Sequence, residues 1–386
     1  MKRKTFLFGR IRLVLSVVLV GVSLRCSDKS SSVGIGILPP EDLVTIDSLV
    51  LHEATGSSFK QFISPNGISL LIGSNRGYEA RTLVRFLLLP DTLADARLLS
   101  ANLLLKPLSV FGDSTALLSF TVHKILRSWS ELTATWDSVD ASFYESTPRG
   151  SFSQVVSGSD SVEVPIDTSL VREWLTGAAS GTDQFGILLL PTPGMGVIRG
   201  FDSFQSADSP TLDVDFEKSG TVDSLLLNIG YDMFVANVGL PPNPELMYVQ
   251  SGVSYRSMLR FDLLAIPSNV IIHNATVELT IDRVNSDPEE VSAGSVLVHH
   301  VSDSTTNSFE SSSAVLTRGD DTDPNLMTAN ITLDVRRWLR GESNQGVLLR
   351  SFVESIQLDL IAIVGPQSNN ESRRPRLVVT FSPFRP

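Results

Sequence analysis

The chain has 386 residues, 42% hydrophobic and 19% charged, which is enough for two or three domains with real cores. Its formal net charge is −11, and beyond the first 25 residues 25 bases face 42 acids. So acidic a surface repels phosphate backbones and argues against nucleic acid as a partner, while a single cysteine excludes an intramolecular disulfide.

Met1-Lys-Arg-Lys4 opens a basic segment that holds six bases and no acid by residue 25. Leu13 to Leu24 is an uncharged, mostly apolar run of 12 residues. A bilayer span takes about 20, so the run fits the apolar stretch of a secretory signal. Cys26 and a Ser-rich stretch follow directly. This arrangement resembles a bacterial lipoprotein signal, in which the cysteine becomes the lipidated first residue, although Arg25 stands where that pattern has a small residue. The alternatives are an ordinary signal beside an incidental cysteine, or an uncleaved anchor. The expectation is a signal over 1–25, lipidation at Cys26, a tether over 26–43 containing Gly34, Gly36, Pro39 and Pro40, and a lipid-anchored place in the bacterial envelope, at the outer membrane or cell surface.

The rest of the chain reads as two copies of one pattern, 44–217 and 218–386. Arg81-Thr-Leu-Val-Arg-Phe86 returns as Arg256-Ser-Met-Leu-Arg-Phe261, offset by 175. Thr45 to Leu51 answers Thr221 to Leu227, Val122-His123 answers Val298-His299, and Trp174-Leu-Thr-Gly177 answers Trp338-Leu-Arg-Gly341. Gly186-Ile-Leu-Leu189 answers Gly346-Val-Leu-Leu349, and Pro210 to Phe216 answers Pro375 to Phe381. A period this long indicates tandem domains; solenoid repeats run about 20–50 residues.

In copy one, β-favouring runs are short and bounded by turn residues, as in an all-β sandwich. Val84 and Phe86 are expected in the core, with Arg81, Leu83 and Arg85 on the opposite face. Ala101, Leu103 and Leu105 share a face, and Leu212, Val214 and Phe216 alternate inward. Ser128 to Trp136 brings two tryptophans, Trp129 and Trp136, close together. They offer either a platform for sugar rings or two bulky pins with indole N–H groups bonded to backbone. Asp167 to Gly177 predicts a short helix capped by Asp167, Thr168 or Ser169, stopped by Gly177, with Trp174 in the core.

In copy two, Glu217-Lys-Ser-Gly220 reads as a short joint. Ala275, Val277, Leu279 and Ile281 predict a half-buried strand. Residues 302–330 read as a long polar surface loop, and Asp334 to Gly341 as a helix. Asp320-Asp-Thr-Asp-Pro-Asn325 carries oxygen ligands suited to structural calcium but lacks EF-hand spacing and a closing Glu, so a solvated acidic loop and no cofactor are expected.

Together these pieces resemble tandem DNRLRE-type domains, a family grouped with carbohydrate-binding module family 96. The matching motifs are Arg256 to Leu263 with Pro267, Arg81 to Phe86 with Pro90, Ala101 to Leu105, Ala275 to Leu279, Trp129-Ser-Glu-Leu-Thr-Ala-Thr-Trp136, Asp167 to Gly177, and Arg374 to Phe381. The resemblance covers most of 44–382. It implies a secreted all-β protein of two jelly-roll-like β-sandwich domains, each with one short helix. Copy two lacks the Trp-x-Glu-x-Thr-x-Thr-Trp segment, and Leu87 stands where the family has Asp.

Two arginines four apart on a strand lie about 13 Å apart at ~3.3 Å rise, a spacing that suits carboxylates on neighbouring uronic-acid residues. Arg81, Arg85, Arg256 and Arg260, with Trp129 and Trp136, are therefore the candidate ligand-binding residues. The alternative is structural, each Arg pairing with an acid or with strand carbonyls. The five histidines show no metal-ligand spacing, and no nucleophile elbow, phosphate loop or Cys/His cluster is present, so no enzyme is expected. The expected function is surface-anchored, non-catalytic carbohydrate binding, with an anionic polysaccharide as partner. The alternative is a structural or adhesive envelope lipoprotein contacting a cell-surface protein.

Overall fold

The computed structural model describes residues 45–60, 67, 69–87, 89–181, 183–238, 243–252, 255–287, 296–319, 323–352, 354 and 358–384. The expected signal, Cys26, the tether and the acidic run 320–322 lie outside these residues. Among the described residues, no helix is long and apolar enough to cross a membrane.

Strand is the main regular structure of the described residues. It begins with β1 (Asp47–Leu51), β2 (Ala54–Lys60), β3 (Ser69–Asn75), β4 (Tyr78–Phe86), β5 (Arg97–Leu105), β6 (Pro107–Gly112), β7 (Leu117–Lys124), β8 (Gly150–Val155) and β9 (Val162–Pro165). Helix α1 (Thr168–Ser180) precedes β10 (Ile187–Pro191), β11 (Val197–Asp202), β12 (Thr211–Lys218) and β13 (Thr221–Val238). Then come β14 (Leu246–Gln250), β15 (Tyr255–Phe261), β16 (Val270–Thr280), β17 (Val296–Asp303), β18 (Ser308–Val315), β19 (Thr317–Arg318) and β20 (Leu326–Asn330). Helix α2 (Thr332–Leu339), β21 (Val347–Ser351), β22 (Leu360–Val364) and β23 (Arg376–Pro383) close the chain.

Two large cores result, each between facing sheets. The first is bounded by β8-β7-β10-β4-β13, with β3, β11 and β6 continuing from β4, and by β13-β12-β5-β9, with β13 turning at a bulge around Gly230 to serve both. The second is bounded by β18-β17-β21-β15-β2 and by β1-β23-β16-β20-β19. The inward residues are those the alternation marks. Val84, Phe86, Ala101, Leu103, Leu105, Leu212 and Val214 fill the first core, and Ala275, Val277, Leu279 and Ile281 fill the second. Trp174 is buried against Phe86, with ring centroids 5.6 Å apart. A third apolar cluster joins the halves, Tyr78, Ala80, Ile198 and Phe234 meeting Tyr248, Leu360 and Ala362.

Strand pairing crosses the midpoint of the chain. β1 pairs with β23 and β2 with β15, so residues 47–60 belong to the second core. Residues 217–220 are a hairpin turn inside a first-core sheet, with Glu217 opposite Val222 and Lys218 opposite Thr221. The expected joint is thus a tight turn, with positive φ at Ser219 and Gly220. The chain passes to the second core only after β13.

Two further expectations need correction. α1 runs past Gly177 to Ser180 and ends at Gly181 in the left-handed conformation, while Asp167 caps its start by accepting from the Ser169 N–H at 2.8 Å. The span 302–330 is not a loop: it carries β18, β19 and β20. β18 is an edge strand exposed along most of its length, so it shows no apolar alternation to read.

Candidate functional site

The repeated arginines lie on matching strands, β4 and β15, and point away from the cores. The two outer faces differ in what covers them.

On the first, residues 126–145 fold back over the sheet. Leu83, Leu188, Met233 and Val235 are buried beneath Ala134, Val139, Phe143, Trp129 and Trp136. The Trp129 Nε1–H donates to the Phe185 carbonyl at 2.8 Å. Glu131 accepts from the Asp232 backbone N–H at 3.0 Å, just after the Gly230 bulge. Trp136 lies against Arg81, whose guanidinium is 4.0 Å from the ring centroid. The segment therefore pins a loop to a sheet, and its tryptophans are occupied by protein groups.

Arg81 donates to Glu79 at 2.8 Å and to the Val139 carbonyl at 3.0 Å. Arg85 lies 6.0 Å from the Phe185 ring and 5.8 Å from the Tyr231 ring, and its Nε is shut off from solvent. Arg81 is committed to protein acceptors, and Arg85 is flanked by two aromatic rings.

On the second face Arg256 is also committed. It meets Glu354 through two parallel bonds of 2.8 and 2.9 Å. Arg350 adds a third contact to Glu354 at 3.2 Å, and the Phe309 ring lies 5.2 Å from Arg256 and 5.8 Å from Arg350. His299 donates from Nδ1 to the Glu310 carbonyl and accepts from Arg350 at Nε2. Burial, opposed by the Glu310 carbonyl bond and helped by Arg350, holds its pKa below the ordinary value. A neutral ring suits that acceptor role.

Arg260 differs from the other three. It is exposed where they are half-buried, and among the described residues it shares with Arg85 the lack of an ion-pair partner. Its cross-strand neighbour is Thr55, where Arg85 has Tyr231. Gln345 precedes Gly346, where Phe185 precedes Gly186 in the first core. The two glycines are true counterparts. Their φ angles are 88° and 87°, and an added Cβ would lie 2.5 Å from the Leu259 carbonyl oxygen and 2.0 Å from that of Val84. Replacing two aromatic shields by Thr55 and Gln345 leaves an open groove of ≈ 400 Å³ beside Arg260, lined also by Ser57, Phe59, Met258, Ser304 and Asn307. A second cleft on the other side of Arg260 carries Glu53 and Asp262, so the cation has acids on one flank only.

Four of the candidate residues thus sit on one face and two on the other, and they do not form a single site. Sequence reasoning missed Glu354, Phe309 and Gln345, whose roles depend on long-range pairing. It also missed a cluster around His300. His300 bonds Asp334 at 2.9 Å and Glu342 at 3.1 Å, while Arg337 bonds Glu310 at 2.7 and 3.0 Å and Glu342 at 2.8 Å. His300, Glu310 and Glu342 lie close enough for a metal, but Arg337 already occupies both Glu310 oxygens and one of Glu342. Arg337, His300 and the three acids make a hydrogen-bonded brace between α2, β17 and β18.

No known protein family matches the chain, and no curated protein resembles it. Among solved structures, it is similar to the infectious bursal disease virus VP2 subviral particle at 10% identity, over 90% of this chain and 79% of that one. The TM-score is 0.11, too low to carry an argument about fold or function.

Proposed function

We propose that this is a non-catalytic carbohydrate-binding protein of the bacterial cell envelope, held by a lipid at Cys26, which takes a carboxylated polysaccharide in the groove beside Arg260. The observation that carries the reading is an exposed arginine with no ion-pair partner among the described residues, next to a half-buried aromatic, Phe59, and polar side chains from Ser57, Ser304, Asn307 and Gln345. A guanidinium captures a carboxylate through two parallel bonds, and the apolar side of a sugar ring packs on Phe59. The resemblance to DNRLRE-type domains supports the same class of ligand. The binding surface is narrower than the repeated Arg pairs suggest, because Arg81, Arg85 and Arg256 are turned to protein partners.

The test is binding of the purified protein to uronate and neutral polysaccharides at low and physiological salt. A salt-sensitive signal with uronate polymers, lost in Arg260→Ala and kept in Arg81→Lys, is the expected result. No uronate signal, or one indifferent to Arg260→Ala, sinks the reading. A structural or adhesive envelope role is the second reading, favoured by the commitment of three arginines to internal contacts and by the interlocked strands. It predicts no glycan affinity in any variant.

A further inference from the structure

Each core has a slot for one strand beside the last strand of its sheet, and the two slots are filled in the same register. In the first, Leu225 and Leu227 of β13 stand opposite Val214 and Leu212 of β12. In the second, Leu49 and Leu51 of β1 stand opposite Val379 and Leu377 of β23. The inserted strands share an Asp-Ser-Leu-x-Leu sequence, at Asp47 and Asp223, and the receiving strands are themselves repeats of each other. The slots are therefore equivalent, and each accepts the same kind of strand.

They are filled by different routes. β13 follows β12 through a two-residue turn, so the first slot is closed by its own hairpin. The second slot is not filled by the strand that opens the second repeat, 221–227, because that strand is already paired in the first core. It takes β1 and β2 from the other end of the chain. The fit is specific. Leu51 is buried in the second core, and the Ser58 hydroxyl accepts from the Tyr248 N–H at 2.7 Å and meets the Ser257 hydroxyl at 2.9 Å. β1 and β2 are also the edge strands of their two sheets. They can leave the slot without unpairing any other strand and without threading the chain.

We propose that this slot is a self-association site, in which residues 47–60 of one copy enter the second core of another and join the copies by strand exchange. Closed and crossed forms make identical strand contacts, so only effective concentration separates them. The closed form dominates in dilute solution. The crossed form grows as local protein concentration approaches the effective concentration of the tethered arm, on the order of mM for a short connection. Reciprocal exchange between two copies fills both slots and closes as a dimer, whereas one-way exchange leaves an empty slot and a free arm at its ends and extends into a chain.

Ser48 and Thr380 are cross-strand partners, and opposed antiparallel residues lie within disulfide reach. In a full-length background carrying Cys26→Ser, one preparation carries Ser48→Cys and a second carries Thr380→Cys. They are mixed, unfolded, refolded at increasing concentration, oxidised and separated without reductant. A covalent heterodimer whose yield rises about tenfold per tenfold in concentration at low conversion, and which excess 45–60 peptide suppresses, is the expected result. The double variant in one chain, and Val50→Cys with Val378→Cys as a second register pair, give internal closure at low concentration. Closure in the double variants with no heterodimer at any concentration overturns the proposal. Failure of both pairs to close also overturns it, by removing the strand pairing on which it rests.

Discussion

Arg256 and Glu354 meet side by side, guanidinium to carboxylate, with their side chains only 12% and 8% exposed. A pair this enclosed holds the outer face of the second core together, because Glu354 draws in Arg350 as well. Removing Arg256 leaves Glu354 buried and, among the described residues, held by the weaker bond from Arg350. Breaking a buried pair costs about 3–5 kcal/mol, and Arg350 should keep the loss near the lower end. Arg260→Ala removes a solvated side chain and should cost within about 0.5 kcal/mol. Urea denaturation of the two variants should separate them clearly. Equal midpoints would show that the enclosed pair contributes nothing to stability.

The contrast between Arg85 and Arg260 gives a test of the groove by closure. Thr55→Tyr and Gln345→Phe restore the two aromatic shields that flank Arg85 in the first core. Both positions lie on the open side of the sheet, so the double variant should fold with near-unchanged thermal stability. Uronate binding should fall at least tenfold by calorimetry, because the guanidinium fork is covered. Full retention of affinity would place the ligand elsewhere.

Much of this fold is legible in the chain. Alternation at Ala101, Leu103 and Leu105, or at Leu212 and Val214, identifies inward faces because a strand has period two and one face is buried. Strand partners are harder to read. Asp47 to Leu51 and Asp223 to Leu227 are near-identical, so repetition itself hides which core each enters. β18 is an edge strand whose apolar residues, Phe309, Ala314 and Val315, are interrupted by Glu310 and three serines and do not alternate. At the site, the arginines stand out by repetition, but Glu354 reaches Arg256 from 98 residues away, and no local pattern announces such a partner. The shields of Arg85 show the same limit, since Phe185 and Tyr231 come from β-bulge and strand-end positions far apart in sequence.

The tryptophan loop should behave as a structural clamp. Trp129→Phe keeps the ring but leaves the Phe185 carbonyl without its donor, a loss of about 1–2 kcal/mol. Trp136→Ala uncovers Arg81 and part of the cluster beneath it, and should cost about 2–3 kcal/mol, below the usual range for a fully buried ring because Trp136 is half-buried. Hydrogen exchange should quicken across 126–145 in both variants, while polysaccharide binding is unchanged. Loss of binding with unchanged exchange would instead make the tryptophans a ligand platform.

Asp232 gives the protein a pH dependence whose sign follows from its surroundings. It is buried beside the β13 bulge and accepts from the Phe204 N–H at 2.7 Å. Burial, with a smaller push from nearby Glu131, raises its pKa from 3.8 to about 7 despite that bond. The folded state therefore holds a proton that the unfolded chain gives up near pH 4. Its contribution to stability is fully present below about pH 4 and is lost as pH rises through about 7. The separation corresponds to at most about 4 kcal/mol. Asp232→Asn keeps an acceptor for Phe204 and removes the titration. Its melting temperature should match that of the unaltered protein near pH 4 and exceed it increasingly up to pH 8. Parallel pH profiles for the two proteins would show that Asp232 is ionised in the folded state throughout this range.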